Sequence, residues 1–543
     1  MVHAPALAIR LLVCLSLAGP ACKPGAGGSD TRTGGLRADG TPIAAADSGA
    51  TAPDVVAETG DAAAAPAEAA VDAAPPLPLD ELPEPEIAWS HPAGSFTPSP
   101  VLETPAGPAL AAFDPDGAVS LLDARTGSVR WTARPAGGET WYGVDAGTRD
   151  GETLILVDAT DSEQHALVLR LAADDGRTLW RTPVEEGFSV DLTEWGRGVR
   201  LESYAACAVR MLDPADGRLL GPRLRGPDSE VWDHRGHAAR RCGLSDIRTF
   251  GVAGGVGVVA RGDREGRRLE GFGPAETPRW TRTLTPTGLA NAVLFDRHEG
   301  IFVEYDGQRD ARARRVVRLD LRTGAERWAR EFDLSGDCPG PYIEGRVRPV
   351  PGPQQRATAV LVPDCVITRS LDPADGRILW EVATGGFPVV EGEEPEEFGA
   401  YGADPLALQR LHPDGTPAGS LVLPGTTRYF WPLADGVVAT ALEPPWTALV
   451  SDDGSVRWEA AVHFCNVFRR DAAFAIVPPD VHLLIEPTTG GAWKLPGGSP
   501  RILGCLAAGE GGAPLWLAMR GDPAELVGLR TTGEGFPLPR PSP

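Results

Sequence analysis

One short figure recurs along this chain and limits the folds open to it. In Ser120-Leu121-Leu122-Asp123-Ala124-Arg125-Thr126-Gly127-Ser128-Val129-Arg130-Trp131, an apolar run meets an Asp-x-x-Thr-Gly turn, and a Trp stands four residues beyond the Gly. The figure returns at Asp320 to Gly324 with Trp328, and at Asp372 to Gly376 with Trp380. Leu-Asp-Pro-Ala-Asp-Gly-Arg occurs twice verbatim, at 212–218 and 371–377. Looser copies close on Gly176 with Trp180, on Gly454 with Trp458, and on Gly490 with Trp493, the last one residue shorter. Self-similarity of this kind marks a repeat architecture in which each copy is one supersecondary unit.

The turn chemistry gives the unit its shape. Gly supplies the positive φ that closes a tight hairpin, and Asp or Thr bonds nearby backbone amides. Two short apolar runs precede each turn, so three strands and the Trp strand make a four-stranded antiparallel blade. A lone blade has open edges and unburied faces, and the Trp fills the wedge between neighbours. The expectation is an all-β chain forming a single β-propeller of about eight blades, with seven to ten possible. Degenerate turns near Gly221, Trp280, Gly419 and Gly533 account for the range. Trp89, in Ile87-Ala88-Trp89-Ser90, reads as the Trp strand of a blade whose other strands lie at the C-terminus, so that both chain ends close the ring.

The Asp-x-x-Thr-Gly-x-x-x-Trp units resemble those of the pyrroloquinoline-quinone-type propellers. That family holds quinone-dependent alcohol dehydrogenases and the propeller lipoprotein of the outer-membrane β-barrel assembly machinery, and this chain is closest in kind to the latter. The resemblance implies a propeller over roughly 450 residues and specifies fold better than function. The dehydrogenases carry a vicinal cysteine pair beside their cofactor, and no two cysteines are adjacent here.

Residues 1–21 read as an export signal. Arg10 precedes the apolar run Leu11 to Ala18, which is too short to span a bilayer, and small residues follow. The arrangement resembles a bacterial lipoprotein signal with Cys22 as the lipidated N-terminus; ordinary cleavage after Ala21 is the alternative. Residues 22–86 form an Ala/Pro-rich tether in which, from Lys23 on, twelve acids face three bases and no aromatic residue occurs. Such a segment buries too little apolar surface to offset its ordering entropy and is expected to be disordered. The propeller takes up 87–543. A net charge of −23 argues against nucleic acid, whose phosphates need a basic face. The chain is therefore expected to be exported and lipid-anchored to the outer membrane, or else secreted or periplasmic, and to touch membrane only through the anchor.

Six cysteines lie beyond Cys22, and their clustering pairs Cys207 with Cys242, Cys338 with Cys365 and Cys465 with Cys505. An exported chain permits such disulfides. Trp232-Asp233-His234-Arg235-Gly236-His237 offers two histidines but lacks a zinc frame, and the acids of 391–397 read as a solvated loop. Gly255-Val256-Gly257 lacks the helix a dinucleotide site needs. No residue is nominated as nucleophile, metal ligand or cofactor ligand. The expected function is a monomeric protein-binding or scaffolding module for an envelope or surface protein, without cofactor. The competing class is a cofactor-dependent oxidoreductase or other enzyme working in the central channel. Loop length varies most around 222–247, 308–314 and 386–404, where a binding surface would sit.

Overall fold

The computed structural model describes residues 77–540 apart from loops, of which 306–312, 334–347, 391–397 and 507–513 are the longer, and it gives several strands by backbone alone. Among the described residues there is no helix, and the chain is a succession of antiparallel meanders. Nine sheets have four strands and one has five. In chain order the first nine span 102–133, 140–183, 189–225, 247–283, 288–333, 348–383, 389–422, 429–460 and 463–494. The ninth gains Phe536–Pro537 as its fifth strand. The tenth joins Arg501–Leu506, Leu515–Arg520 and Glu525–Arg530 to the N-terminal strand Glu86–Pro92, so the Trp89 strand lies where the sequence puts it. Among the described residues there are thus ten sheets of four or five strands, where the repeats led to an expectation of about eight blades.

Residue pattern follows position within a sheet. Middle strands pack on both faces and read as unbroken apolar runs: Gly436–Ala441 and Trp446–Ser451 are buried at every residue. The last strand of a sheet covers its neighbour on one side only, so Thr178–Pro183 alternates between half-buried and exposed. Each space between sheets holds a core of its own. Leu102, Leu121, Ile155 and Leu169 fill that between the first and second sheets, and Leu484, Leu495, Trp516 and Leu529 that between the ninth and tenth. Leu110 and Leu122 of the first sheet pack with Leu515, Leu517 and Leu526 of the tenth.

The repeated residues make one device at these junctions. The Trp of each sheet lies against the turn Gly of the next: Trp89 on Gly127, Trp131 on Gly176, Trp180 on Gly217, Trp280 on Gly324, Trp328 on Gly376, Trp380 on Gly415 and Trp458 on Gly490. Trp493 meets Gly535 in the same way. At Gly376 the fit leaves no choice of residue, because φ is 74° and a Cβ would stand 2.7 Å from the Trp328 ring. The indole N–H then donates to a turn carbonyl: Trp131 to Ala173 at 3.0 Å, Trp180 to Pro214 at 2.9 Å, Trp328 to Pro373 at 2.9 Å and Trp458 to Pro487 at 2.6 Å. The turn itself is held by its first Asp: the Asp123 carboxylate accepts the amides of Arg125 and Thr126. This is β-propeller architecture.

Two junctions depart from the rule. Four residues after Gly217 stands Gly221, and Phe272 of the fourth sheet fills the space with its ring while the Gly221 amide donates to Gly273. In the seventh sheet Gly419 holds the Trp position.

The composition also assigns 77–86 to the tether, but Leu77 and Leu82 are buried among Leu433, Trp458 and Leu483, and the Lys494 amide donates to Pro83. Two leucines per short stretch suffice to dock a proline-rich strap when an apolar surface is waiting.

Truncating a buried Trp should cost about 3–5 kcal/mol. Trp328→Ala is therefore expected to lower the unfolding free energy measured by urea titration by that amount. Trp328→Phe keeps a ring on Gly376 and gives up the bond to Pro373, so it should lose about 1 kcal/mol from that bond, in addition to the smaller ring's packing loss.

Candidate functional site

Sharing one turn carbonyl between two donors is the first feature that the repeat pattern hides. Arg170 lies directly across the strand pair from Trp180, and Arg318 from Trp328. Arg170 donates to the Pro214 carbonyl at 2.6 Å, the same oxygen that takes the Trp180 N–H, and Arg318 does so at Pro373. Each guanidinium is neutralised on its other side, by Glu152 at 2.8 Å and by Glu299. An Arg ten residues before the Trp, with a Glu eighteen or nineteen before that Arg, is the sequence signal that finds them.

The first strands of successive sheets bring carboxylates together. Asp145, on Thr140–Arg149, accepts the Leu192 amide of the third sheet at 3.0 Å and so ties two sheets side by side. Burial pushes its carboxyl up, with the amides of Leu192 and Ala146 opposing. Asp191, on Ser189–Leu192, is pushed up to about 6, first by burial and then by the charges of Asp145 and Glu202, with Arg200 opposing. Its side chain reaches solvent, but enough protein surrounds it to weaken its hydration. Arg200 lies across from Asp191, contacts Glu202 at 3.3 Å, and donates to the Ile247 carbonyl of the fourth sheet at 2.8 Å. The arrangement makes Asp191 easier to protonate than an ordinary carboxylate, within a row of acids. Among the described residues no set of three or more side chains is placed to hold a metal ion.

A second concavity, about 210 Å³, opens between the second and third sheets. Val184, Phe188, Leu201 and Leu219 line it, with Glu185 and Arg210 at its polar side. Glu185 pairs with Arg223 and lies 3.9 Å from Arg210, and the Arg223 guanidinium sits 5.8 Å from the centre of the Phe188 ring. The one Glu185 carboxylate is shared between the two guanidiniums, and among the described residues no nucleophile lines the space.

Between the third and fourth sheets the chain adds a hairpin that belongs to neither: Asp228–Trp232 pairs with Ala238–Cys242, setting Glu230 opposite Arg240 and Ser229 opposite Arg241. This is the longest of the sequence-variable stretches. The backbone of the hairpin strands is described, whereas the tip 233–237, the loop 308–312 and the acids of 391–397 lie outside the described residues, as do Cys22 and the side chains of Cys242, Cys338, Cys365 and Cys465. Cys505 packs beside Trp493 and Trp516, with its thiol directed to the Leu506 carbonyl at 3.7 Å. The Gly-Val-Gly string lies in or beside strand Val256–Asp263.

No protein-family model matches this chain, and no curated protein does. Solved structures similar to it are β-propellers. BamB from Moraxella catarrhalis is 14% identical, with a TM-score of 0.31 over 66% of this chain and 97% of that one. Sqt1 of Saccharomyces cerevisiae is 8% identical, with a TM-score of 0.33 over 83% of this chain and all of that one. The dihydro-heme d1 dehydrogenase NirN in complex with DHE is 13% identical, with a TM-score of 0.30 over 76% and 80%. At these TM-scores the likenesses decide nothing about this chain's activity.

Because the folded pKa of Asp191 exceeds the ordinary 3.8, the folded state binds more protons between about pH 4 and 6. Its contribution is therefore present at low pH and lost as pH rises through 6. Asp191→Asn should raise the melting temperature at pH 7.5 and leave it nearly unchanged at pH 4.5. Thermal melts across that range check it, and a wild-type difference that persists unchanged in the variant would show that other groups set the dependence.

Proposed function

We propose that this chain is an exported, lipid-anchored β-propeller of the pyrroloquinoline-quinone type, with ten blades closed by the Trp89 strand, acting as a protein-binding scaffold in the cell envelope. The observation that carries the reading is where the repeated residues are spent. Asp, Gly, Trp and the paired Arg all go into joining one sheet to the next, while the hairpin 228–242 is added outside that framework and contains Asp228, Glu230, Arg240 and Arg241. Rigid sheets with variable additions are how binding surfaces are built. Packing of the tenth sheet on the first supports closure of the ring.

Pairing of Cys207 with Cys242 belongs to the same reading. What supports it is that the Gly226 amide bonds the Cys207 carbonyl two residues before Asp228, which lies across from Cys242. The link would fasten the base of the hairpin. Peptide mapping without reductant should recover 207–242, and an alkylatable Cys242 thiol in the native protein would refute it.

The partner surface is charged protein. Replacing Arg240 and Arg241 by Glu should lower capture of a partner from envelope extract at least tenfold, with the melting temperature unchanged. Equal capture by the double variant would remove the hairpin from the interface. Anchoring is tested separately: Cys22→Ala should release the protein from membranes without unfolding it, and a mature N-terminus bearing an unmodified Cys22 would exclude the anchor.

A second reading is favoured by Asp191, whose affinity for a proton near neutrality suits general acid–base work. Purified protein that takes up pyrroloquinoline quinone and calcium, then reduces a dye with an alcohol, would be an enzyme, and the scaffold reading would give way.

A further inference from the structure

The seventh and eighth sheets meet at a junction with only half of the device. The receiving half is complete. Gly454 has φ 82°, as positive as at the docked turns, its amide donates to the Ser451 carbonyl, and Asp453 accepts the Ser455 amide at 2.9 Å as Asp375 accepts that of Arg377. The donating half is missing, since Gly419 stands where the seventh sheet should carry its Trp. A Cβ placed on Gly454 meets no described atom within 4 Å, and the same holds at Gly419. By contrast, the repeat turns ending in Gly127, Gly176, Gly217, Gly324, Gly376, Gly415 and Gly490 are each covered by an indole, and where Gly533 is bare the neighbouring Trp493 is seated on Gly535 instead.

The other Trp-less junction shows that this is a choice rather than simple decay. At Gly221 the receiving turn has also lost its glycine, and Phe272 fills the space from the opposite side. There the loss of the donor is compensated within the chain. At Gly454 the receptor is kept and exposed, and among the described residues nothing compensates.

We propose that the Gly454 turn is a docking site for a Trp side chain supplied in trans by an extended segment of a partner protein. The junctions of this chain define the chemistry of that segment. Two residues after the docked Trp, Arg330 donates to the Gly376 and Asp375 carbonyls, and Thr182 donates to the Gly217 carbonyl. The Gly454 turn carries the exposed Asp453, so a cation at that position also meets favourable charge. A Trp-x-Arg segment in strand conformation is the occupant. This site is separate from the hairpin surface, and its failure would leave that surface standing.

The probe is a synthetic peptide with the sequence of 326–333, Glu-Arg-Trp-Ala-Arg-Glu-Phe-Asp, carrying a fluorophore for anisotropy. The full propeller should bind it, and the peptide with Ala in place of Trp should bind at least tenfold more weakly. Gly419→Trp supplies the missing indole in cis, so it should abolish binding and raise the melting temperature. Gly221→Trp, where Phe272 already fills the space, should leave peptide binding intact. As a variant that does not depend on seating a new ring, Gly454→Ala places a methyl group under the docked face and should also weaken binding tenfold. A photoreactive Trp analogue in the peptide should label the 451–455 turn. No binding to wild type, equal binding to Gly419→Trp that is folded by circular dichroism, or labelling confined to another surface would each overturn the proposal.

Discussion

Eight of the ten larger sheets of this protein receive an indole that belongs to the sheet before them. The contact is demanding because it combines three conditions at one place: a flat ring, a residue without a side chain, and a carbonyl aimed at the ring nitrogen. A flexible aliphatic chain would fill the same volume but could not satisfy the carbonyl, which would then sit buried with one donor fewer. The Arg beside the Trp explains why the oxygen is worth reaching, since two donors and a neutralising Glu make it the centre of a small polar network within an apolar seam. Such networks fix which neighbour a sheet accepts, while the leucines and valines around them supply most of the stabilisation.

The legibility of this protein from its sequence tracks that contact. Asp123, Gly127 and Trp131 predict a turn, a strand and a wedge together, and the same three residue types at Trp328, Trp380 and Trp458 place further sheets. Even Trp89 could be assigned to strands more than four hundred residues away, because a Trp strand without its own turn must borrow one. Sheet number was harder, for a specific reason: at Gly221 and Gly419 the marker residue is gone while the sheet remains. A reader of the sequence sees a missing copy where the structure has a copy joined differently.

The acids on the first strands were invisible for another reason. Asp145 and Asp191 lie on different sheets, and only the lateral placement of those sheets brings them together. Neither is part of the repeat, so no spacing announces them. Leu77 and Leu82 were hidden by the opposite effect, since the proline-rich composition around them speaks for disorder and only the waiting surface near Trp458 overrules it.

The tenth sheet has a consequence for the order of events as the chain folds. Glu86–Pro92 is made before any other strand, yet its partner Glu525–Arg530 is nearly the last. Through the whole of synthesis the first strand has no place to pair, and the edge of the first sheet that Trp89 will cover stays bare. Contacts of such sequence separation form slowly, because the entropy of bringing the ends together precedes any gain. The join between chain ends is thus the natural last step of assembly. A chain cut short near its C-terminus would lose a partner at its beginning, carrying damage at both ends from a single break.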